Sequence, residues 1–169
     1  LTGNKYNEYT IASTSQIFNP EEMDWSDEIF DRLDLPRDIM QEIIYPGETV
    51  GQVLDSVKEE CRIKGNLPVI AVGSHDTESA IAATPLQDSS NSVYISCGTW
   101  SLLGMELDTP LINEKSEAGN FTNECAVGKK IAFLKNLCGL WLIQECKRSW
   151  QKEGLNLSYD EIDAAAMEA

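Results

Sequence analysis

Apolar positions recur with helical spacing in several short stretches of this chain. Ile29, Phe30 and Leu33 share one face of a predicted helix over residues 27 to 34, with Ser26 as its N-cap and Pro36 as its stop. A short helix is expected over 37 to 42 and a short strand at Ile43-Ile44-Tyr45, broken by Pro46-Gly47. Val53, Leu54 and Val57 predict an inward face on a helix over 52 to 63, punctuated by Gly65-Asn66. Residues 1 to 20, rich in Ser, Thr, Asn and Tyr, read as a loop followed by a short element. The pattern then changes: Pro68-Val69-Ile70-Ala71-Val72-Gly73 is apolar without alternation, which predicts a strand buried on both faces. Ser74-His75-Asp76 follows, and a helix begins near Thr77 with Ala80, Ile81 and Ala83 along it. Such strand–turn–helix junctions are where α/β sheets usually keep their chemistry.

The polar segment Gln87-Asp88-Ser89-Ser90-Asn91 reads as a domain boundary. Beyond it, Val93-Tyr94-Ile95-Ser96 and Trp100-Ser101-Leu102-Leu103-Gly104-Met105 predict a hairpin around the turn Cys97-Gly98-Thr99. Residues 108 to 120 read as loop, and Lys130-Ile131-Ala132-Phe133-Leu134 as a third strand. Leu140, Ile143, Cys146 and Trp150 mark the buried stripe of a helix ending near Gly154, and Ser158-x-x-Glu161 is a capping box that opens another. The order strand, strand, strand, helix matches the start of a ribonuclease-H-like domain.

Charge narrows the function classes. Thirteen Lys+Arg stand against 28 Asp+Glu, for a net charge of −15, which repels nucleic-acid phosphates and anionic lipid. No stretch has the apolar length of a membrane span, and a cytoplasmic location is expected. Cys61, Cys97, Cys125, Cys138 and Cys146 form no C-x-x-C pair and no zinc spacing, so free thiols are expected and no metal ligands are assigned. The hydrophobic fraction of 42% suffices for a globular core. The chain opens without Met and stops inside a predicted helix, so a fragment is expected.

Two constellations can carry chemistry. In Gly73-Ser74-His75-Asp76-Thr77, the glycine keeps the backbone slim, and a carboxylate at a helix start can take a proton from a bound hydroxyl. The competing role for Asp76 is a plain N-cap, and for His75 a hydrogen-bonded structural histidine. In Ser96-Cys97-Gly98-Thr99-Trp100-Ser101, backbone N–H groups and the Thr99 hydroxyl can cradle phosphate oxygens, with an ordinary hairpin turn as the alternative. A base and a phosphate turn facing each other across a cleft would suit phosphoryl transfer, which is mainly positioning and charge stabilisation.

On these residues the chain resembles the FGGY family of carbohydrate kinases. Residues 68 to 77 are similar to its segment carrying the catalytic Asp, and residues 95 to 104 to its second phosphate loop. Asn120-Phe121-Thr122-Asn123-Glu124, Phe133-Leu134-Lys135-Asn136 and residues 139 to 146 resemble the branch that phosphorylates L-rhamnulose. The resemblance implies an α/β, ribonuclease-H-like (actin-like ATPase) fold, with residues 1 to 88 ending one kinase domain and 89 to 169 beginning the next. It implies Asp76 as proton acceptor, His75 and Thr77 as sugar contacts, and Gly98 and Thr99 as contacts to ATP phosphate. ATP and Mg²⁺ are the implied cofactors, with the Mg²⁺-linked Asp and the adenine site outside this chain. An isolated piece of this kind is expected to show no kinase turnover. Cys97 stands where the family favours a small residue such as Ser, and Cys125-Ala126 where it favours glycines. The alternatives are a kinase for fuculose, xylulose or glycerol, a thiol hydrolase pairing Cys97 with His75, and a non-catalytic actin-like assembly module.

Overall fold

The computed structural model describes residues 1–86, 88 and 91–169. The first half is built from short elements: β1 (Asn7–Glu8), α1 (Tyr9–Ser13), β2 (Phe18–Asn19), β3 (Asp24–Trp25), α2 (Asp27–Leu33), a 3-10 turn at Arg37–Ile39, β4 (Ile43–Ile44), β5 (Thr49–Gln52), α3 (Asp55–Cys61), β6 (Pro68–Ile70) and α4 (Asp76–Ala82). β1 pairs in parallel with β4, while β2–β3 and β5–β6 are antiparallel pairs. The second half is β7 (Tyr94–Cys97), β8 (Ser101–Leu107), α5 (Glu114–Ala118), β9 (Phe121–Ala126), β10 (Lys130–Leu137), α6 (Trp141–Lys152) and α7 (Tyr159–Glu168). Its four strands form one antiparallel sheet in the order β7-β8-β10-β9.

The main core draws on both halves. Tyr9, Ala12, Phe18, Trp25 and Phe30 pack with Cys125 of β9 and Ile131 of β10. Tyr9 meets Phe18 edge-on at 5.8 Å, and Phe18 meets Trp25 at 6.0 Å. Each fully buried side chain of this size stabilises the fold by about 1.5–3 kcal/mol. The Cys125 N–H donates to Ser13 Oγ at 2.9 Å, which fixes α1 against the end of β9. A smaller cluster of Ala126, Ala132 and Leu134, with Leu102 against it, lies on the sheet.

Several expectations hold. α2, the 3-10 turn, the β7–β8 hairpin and β10 fall where periodicity places them. The Ser158–Glu161 capping box forms in full. All five cysteines are free. Others fail for stated reasons. Ser26 occupies the N-cap of α2, but its side chain makes no capping bond. The helix expected from residue 52 begins only at Asp55, because Thr49–Gln52 pairs with β6 instead, and Leu54 is exposed. The loop over 108 to 120 contains α5, whose capping box joins Asn113 to Ser116 rather than to the usual Glu or Gln. β9, unexpected, makes a fourth strand. Residues 68 to 73 are not buried on both faces: β6 pairs with β5 alone, and Ile70 and Val72 are exposed. The stripe on α6 is only partly covered: Ile143 and Trp150 are half-buried, and Leu140 and Cys146 are exposed. In both cases an apolar pattern specifies a face to be covered without specifying the cover. The expected boundary at 87 to 91 includes Gln87, Ser89 and Ser90, which lie outside the described residues.

Candidate active site on α4 and the β7–β8 turn

Asp76 is the first residue of α4, and His75 occupies the N-cap. The plain N-cap role for Asp76 is therefore not realised. Its side chain is exposed and has no hydrogen-bond or ion-pair partner among the described residues. Thr77 follows half-buried. What holds this junction is Glu8, which sequence reasoning left inside a loop. The buried Glu8 carboxylate accepts from the backbone N–H groups of Thr10, Ile11 and Ser74 and from the Thr10 hydroxyl. Thr10 Oγ1 in turn accepts the His75 N–H at 3.1 Å. Charge-assisted bonds of this kind are the strong ones, and they fix the backbone immediately before Asp76. Ser79 Oγ donates to the Gly73 carbonyl at 2.5 Å, and a Cβ on Gly73 would sit 3.0 Å from that oxygen.

Behind Asp76 lies an acidic group that spacing did not reveal. Glu78, fully buried on α4, has no hydrogen-bond partner for either carboxylate oxygen among the described residues. Burial pushes its carboxyl up to about 8, and the nearby charges of Glu124, Glu106 and Glu8 add to the shift. His75 Nδ1 stands 3.3 Å from Glu124 Oε2, so its ring is held against β9. An acid two residues into a helix reads in sequence as an ordinary first-turn charge. The packing of α4 against β7 and β9 buries it.

The β7–β8 turn is tied to α6. The Gly98 N–H donates to the Trp100 carbonyl, and the carbonyls of Gly98 and Thr99 accept from Leu140 and Trp141 at 2.9 and 3.0 Å. The Gly98 amide is thus spent on closing the turn. The Thr99 and Trp100 amides and the Thr99 hydroxyl have no partner among the described residues and are the donors left for an anion. Gly139, at φ +57, makes this seating possible, since a Cβ there would lie 2.7 Å from the Trp100 carbonyl carbon and 2.8 Å from the Gly98 oxygen. Gly139→Ala is expected to destabilise the chain by about 1–3 kcal/mol and displace the turn. Urea unfolding together with amide chemical shifts at Thr99 and Trp100 would check this.

The structure makes His75, Asp76 and Thr77 one contiguous group and places Gly98 and Thr99 on a separate turn. The two segments sit on neighbouring elements, because Ala80 and Ile81 of α4 and Ile95 and Ser96 of β7 line one hollow. No hydrogen bond or ion pair joins the two groups among the described residues. Cys97 Sγ accepts from the Ser101 hydroxyl at 3.2 Å while His75 faces Glu124, so the thiol–imidazole pair of a hydrolase is not formed among them.

Known proteins match this chain in sequence and in fold. The profile of the FGGY family of carbohydrate kinases, N-terminal domain, matches residues 1–82, and that of its C-terminal domain matches residues 93–169. The chain belongs to the FGGY family of carbohydrate kinases. A rhamnulokinase of Bacteroides thetaiotaomicron is 43% identical over 96% of this chain and 32% of its own length. One from Oceanobacillus iheyensis is 40% identical over 99% of this chain and 34% of its own. The chain thus spans about a third of the length of these curated relatives. The crystal structure of a ligand-bound xylulose kinase from Lactobacillus acidophilus superposes on 87% of this chain and 29% of that one, with a TM-score of 0.73 and 18% identity. A gluconate kinase from the same organism superposes on 87% and 29%, with a TM-score of 0.70 and 17% identity. The fold is the mixed α/β, actin-like ATPase fold of sugar kinases, and at these identities it carries no sugar preference. No helix among the described residues is long and apolar enough to cross a membrane.

Proposed function

We propose that the full-length protein transfers the γ-phosphoryl group of ATP to the primary hydroxyl of L-rhamnulose, giving L-rhamnulose 1-phosphate and ADP. The observation that carries this reading is Asp76: exposed, without a partner among the described residues, and held by a buried Glu8–Thr10 clamp at the start of α4. Asp76 accepts the hydroxyl proton as the sugar oxygen attacks phosphorus. His75 and Thr77 hold the sugar, and Gly98 and Thr99 form the turn that meets the nucleotide phosphates. Residues 1 to 88 and 89 to 169 are parts of two domains that share the core around Tyr9 and Cys125. The turn offers N–H and O–H donors, which suit phosphate oxygens and not a cation, so this chain assigns no residue of its own to the Mg²⁺ that accompanies ATP. That ion supplies charge neutralisation at the transferring group. The acidic surface and the lack of a membrane-length helix among the described residues agree with a cytoplasmic enzyme.

The similarity to rhamnulokinases favours L-rhamnulose over other sugars. The test is a panel of L-rhamnulose, L-fuculose, D-xylulose and glycerol with the full-length enzyme and ATP. L-Rhamnulose is expected to have the highest kcat/KM, by about tenfold or more, and a better acceptor among the other three would overturn the assignment. The 169-residue chain alone is expected to show no turnover. Nucleotide-dependent polymerisation without phosphorylation, followed by light scattering, would instead mark an actin-like assembly module.

A further inference from the structure

We propose that His75, Glu78 and Glu124 form a binding site for a divalent transition-metal cation that bridges α4 and β9. One ligand atom from each of the three lies within 4.8 Å of the others. Coordinated atoms about 2.0–2.2 Å from a cation sit roughly 3–3.5 Å apart, so modest side-chain rotation closes the site. The independent sign of a ligand is Glu78. Its side chain is fully buried, and neither oxygen has a hydrogen-bond partner among the described residues. A buried carboxyl group is ordinarily hydrogen-bonded, paired, bound to a metal or held neutral. Glu78 has no hydrogen bond or ion pair among the described residues, and a bound cation would displace the proton that burial retains. His75 Nδ1 and Glu124 Oε2 stand 3.3 Å apart, and neither makes a hydrogen bond among the described residues.

The surroundings suit a cation. Glu106 and Glu8 add negative charge around Glu78. The His75 and Glu124 side chains are 20% and 19% exposed, which leaves an entry path. One imidazole and two carboxylates suit first-row divalent ions such as Mn²⁺ or Zn²⁺ better than alkali ions or soft metals. The ion would tie α4 in the first half to β9 in the second. Coordination through Nδ1 would put the imidazole proton on Nε2, leaving one N–H directed away from the metal. The site does not depend on the kinase assignment, and its test requires no turnover.

The experiment is Mn²⁺ titration of the 169-residue chain, followed by continuous-wave and pulsed electron paramagnetic resonance. The chain has one histidine, so nitrogen modulation from an imidazole ligand can come only from His75. One Mn²⁺ per chain with imidazole modulation is expected. Glu124→Gln and Glu78→Gln should each weaken binding by about tenfold or more, and His75→Ala should abolish the modulation. Glu124 is partly exposed, so Glu124→Gln keeps the test informative if Glu78→Gln unfolds, with circular dichroism reporting the fold. Absence of stoichiometric binding, binding without nitrogen modulation, or unchanged affinity in Glu124→Gln would each overturn the site.

Discussion

Asp76→Asn in the full-length kinase is expected to lower kcat by about 10²–10⁴-fold while leaving ATP affinity unchanged. Asparagine keeps the shape of the side chain and removes its capacity to accept a proton. Asp76 is exposed and makes no hydrogen bond or ion pair among the described residues, so the substitution breaks no such contact there. The clamp that positions the junction comes from Glu8 and Thr10 through backbone N–H groups, which the variant retains. A loss confined to kcat separates this role from ground-state sugar binding, which would raise KM instead. Turnover within about threefold of the parent enzyme would remove Asp76 from the reaction. Steady-state kinetics at saturating ATP, with nucleotide binding measured by calorimetry, reads both quantities.

Glu78→Gln is expected to flatten the pH dependence of stability. The Glu78 carboxyl titrates near 4.5 in an unfolded chain and is pushed up to about 8 in the fold, chiefly by burial. Between these values the folded chain holds a proton that the unfolded chain has released. Stability therefore falls as pH rises from about 4.5 to about 8 and levels off above that. The penalty at pH 9 is of the order of a few kcal/mol. In chelator-containing buffer, urea unfolding of the parent chain should show this decline, and Glu78→Gln should lack most of it. Equal slopes for the two chains would show that Glu78 is not the group responsible.

The local structure of the α4 junction was legible because its residues are contiguous. Gly73 through Thr77 carry the bend, the acid and its neighbours in one stretch, and α4 begins at Asp76, one residue before expected. The turn at Gly98 and Thr99 was legible for the same reason. Which of its donors face outward was not, since that depends on Leu140 and Trp141 pairing with its carbonyls. Glu8 was hidden because glutamate is not a favoured N-cap, and its bond to Ser74 spans most of the first half of the chain. β9 was hidden because Phe121–Ala126 mixes polar and apolar positions that make sense only beside β10.

Local spacing alone determined the hairpin, α2, the C-terminal capping box and the acid that begins α4, since each depends on atoms a few residues apart. Tertiary structure decided the rest. It buried Glu78 between α4, β7 and β9, turned His75 toward Glu124, and left Ile70, Val72 and part of the α6 stripe exposed. Burial and electrostatic environment are sums over segments distant in sequence, and periodicity within one segment carries no record of them.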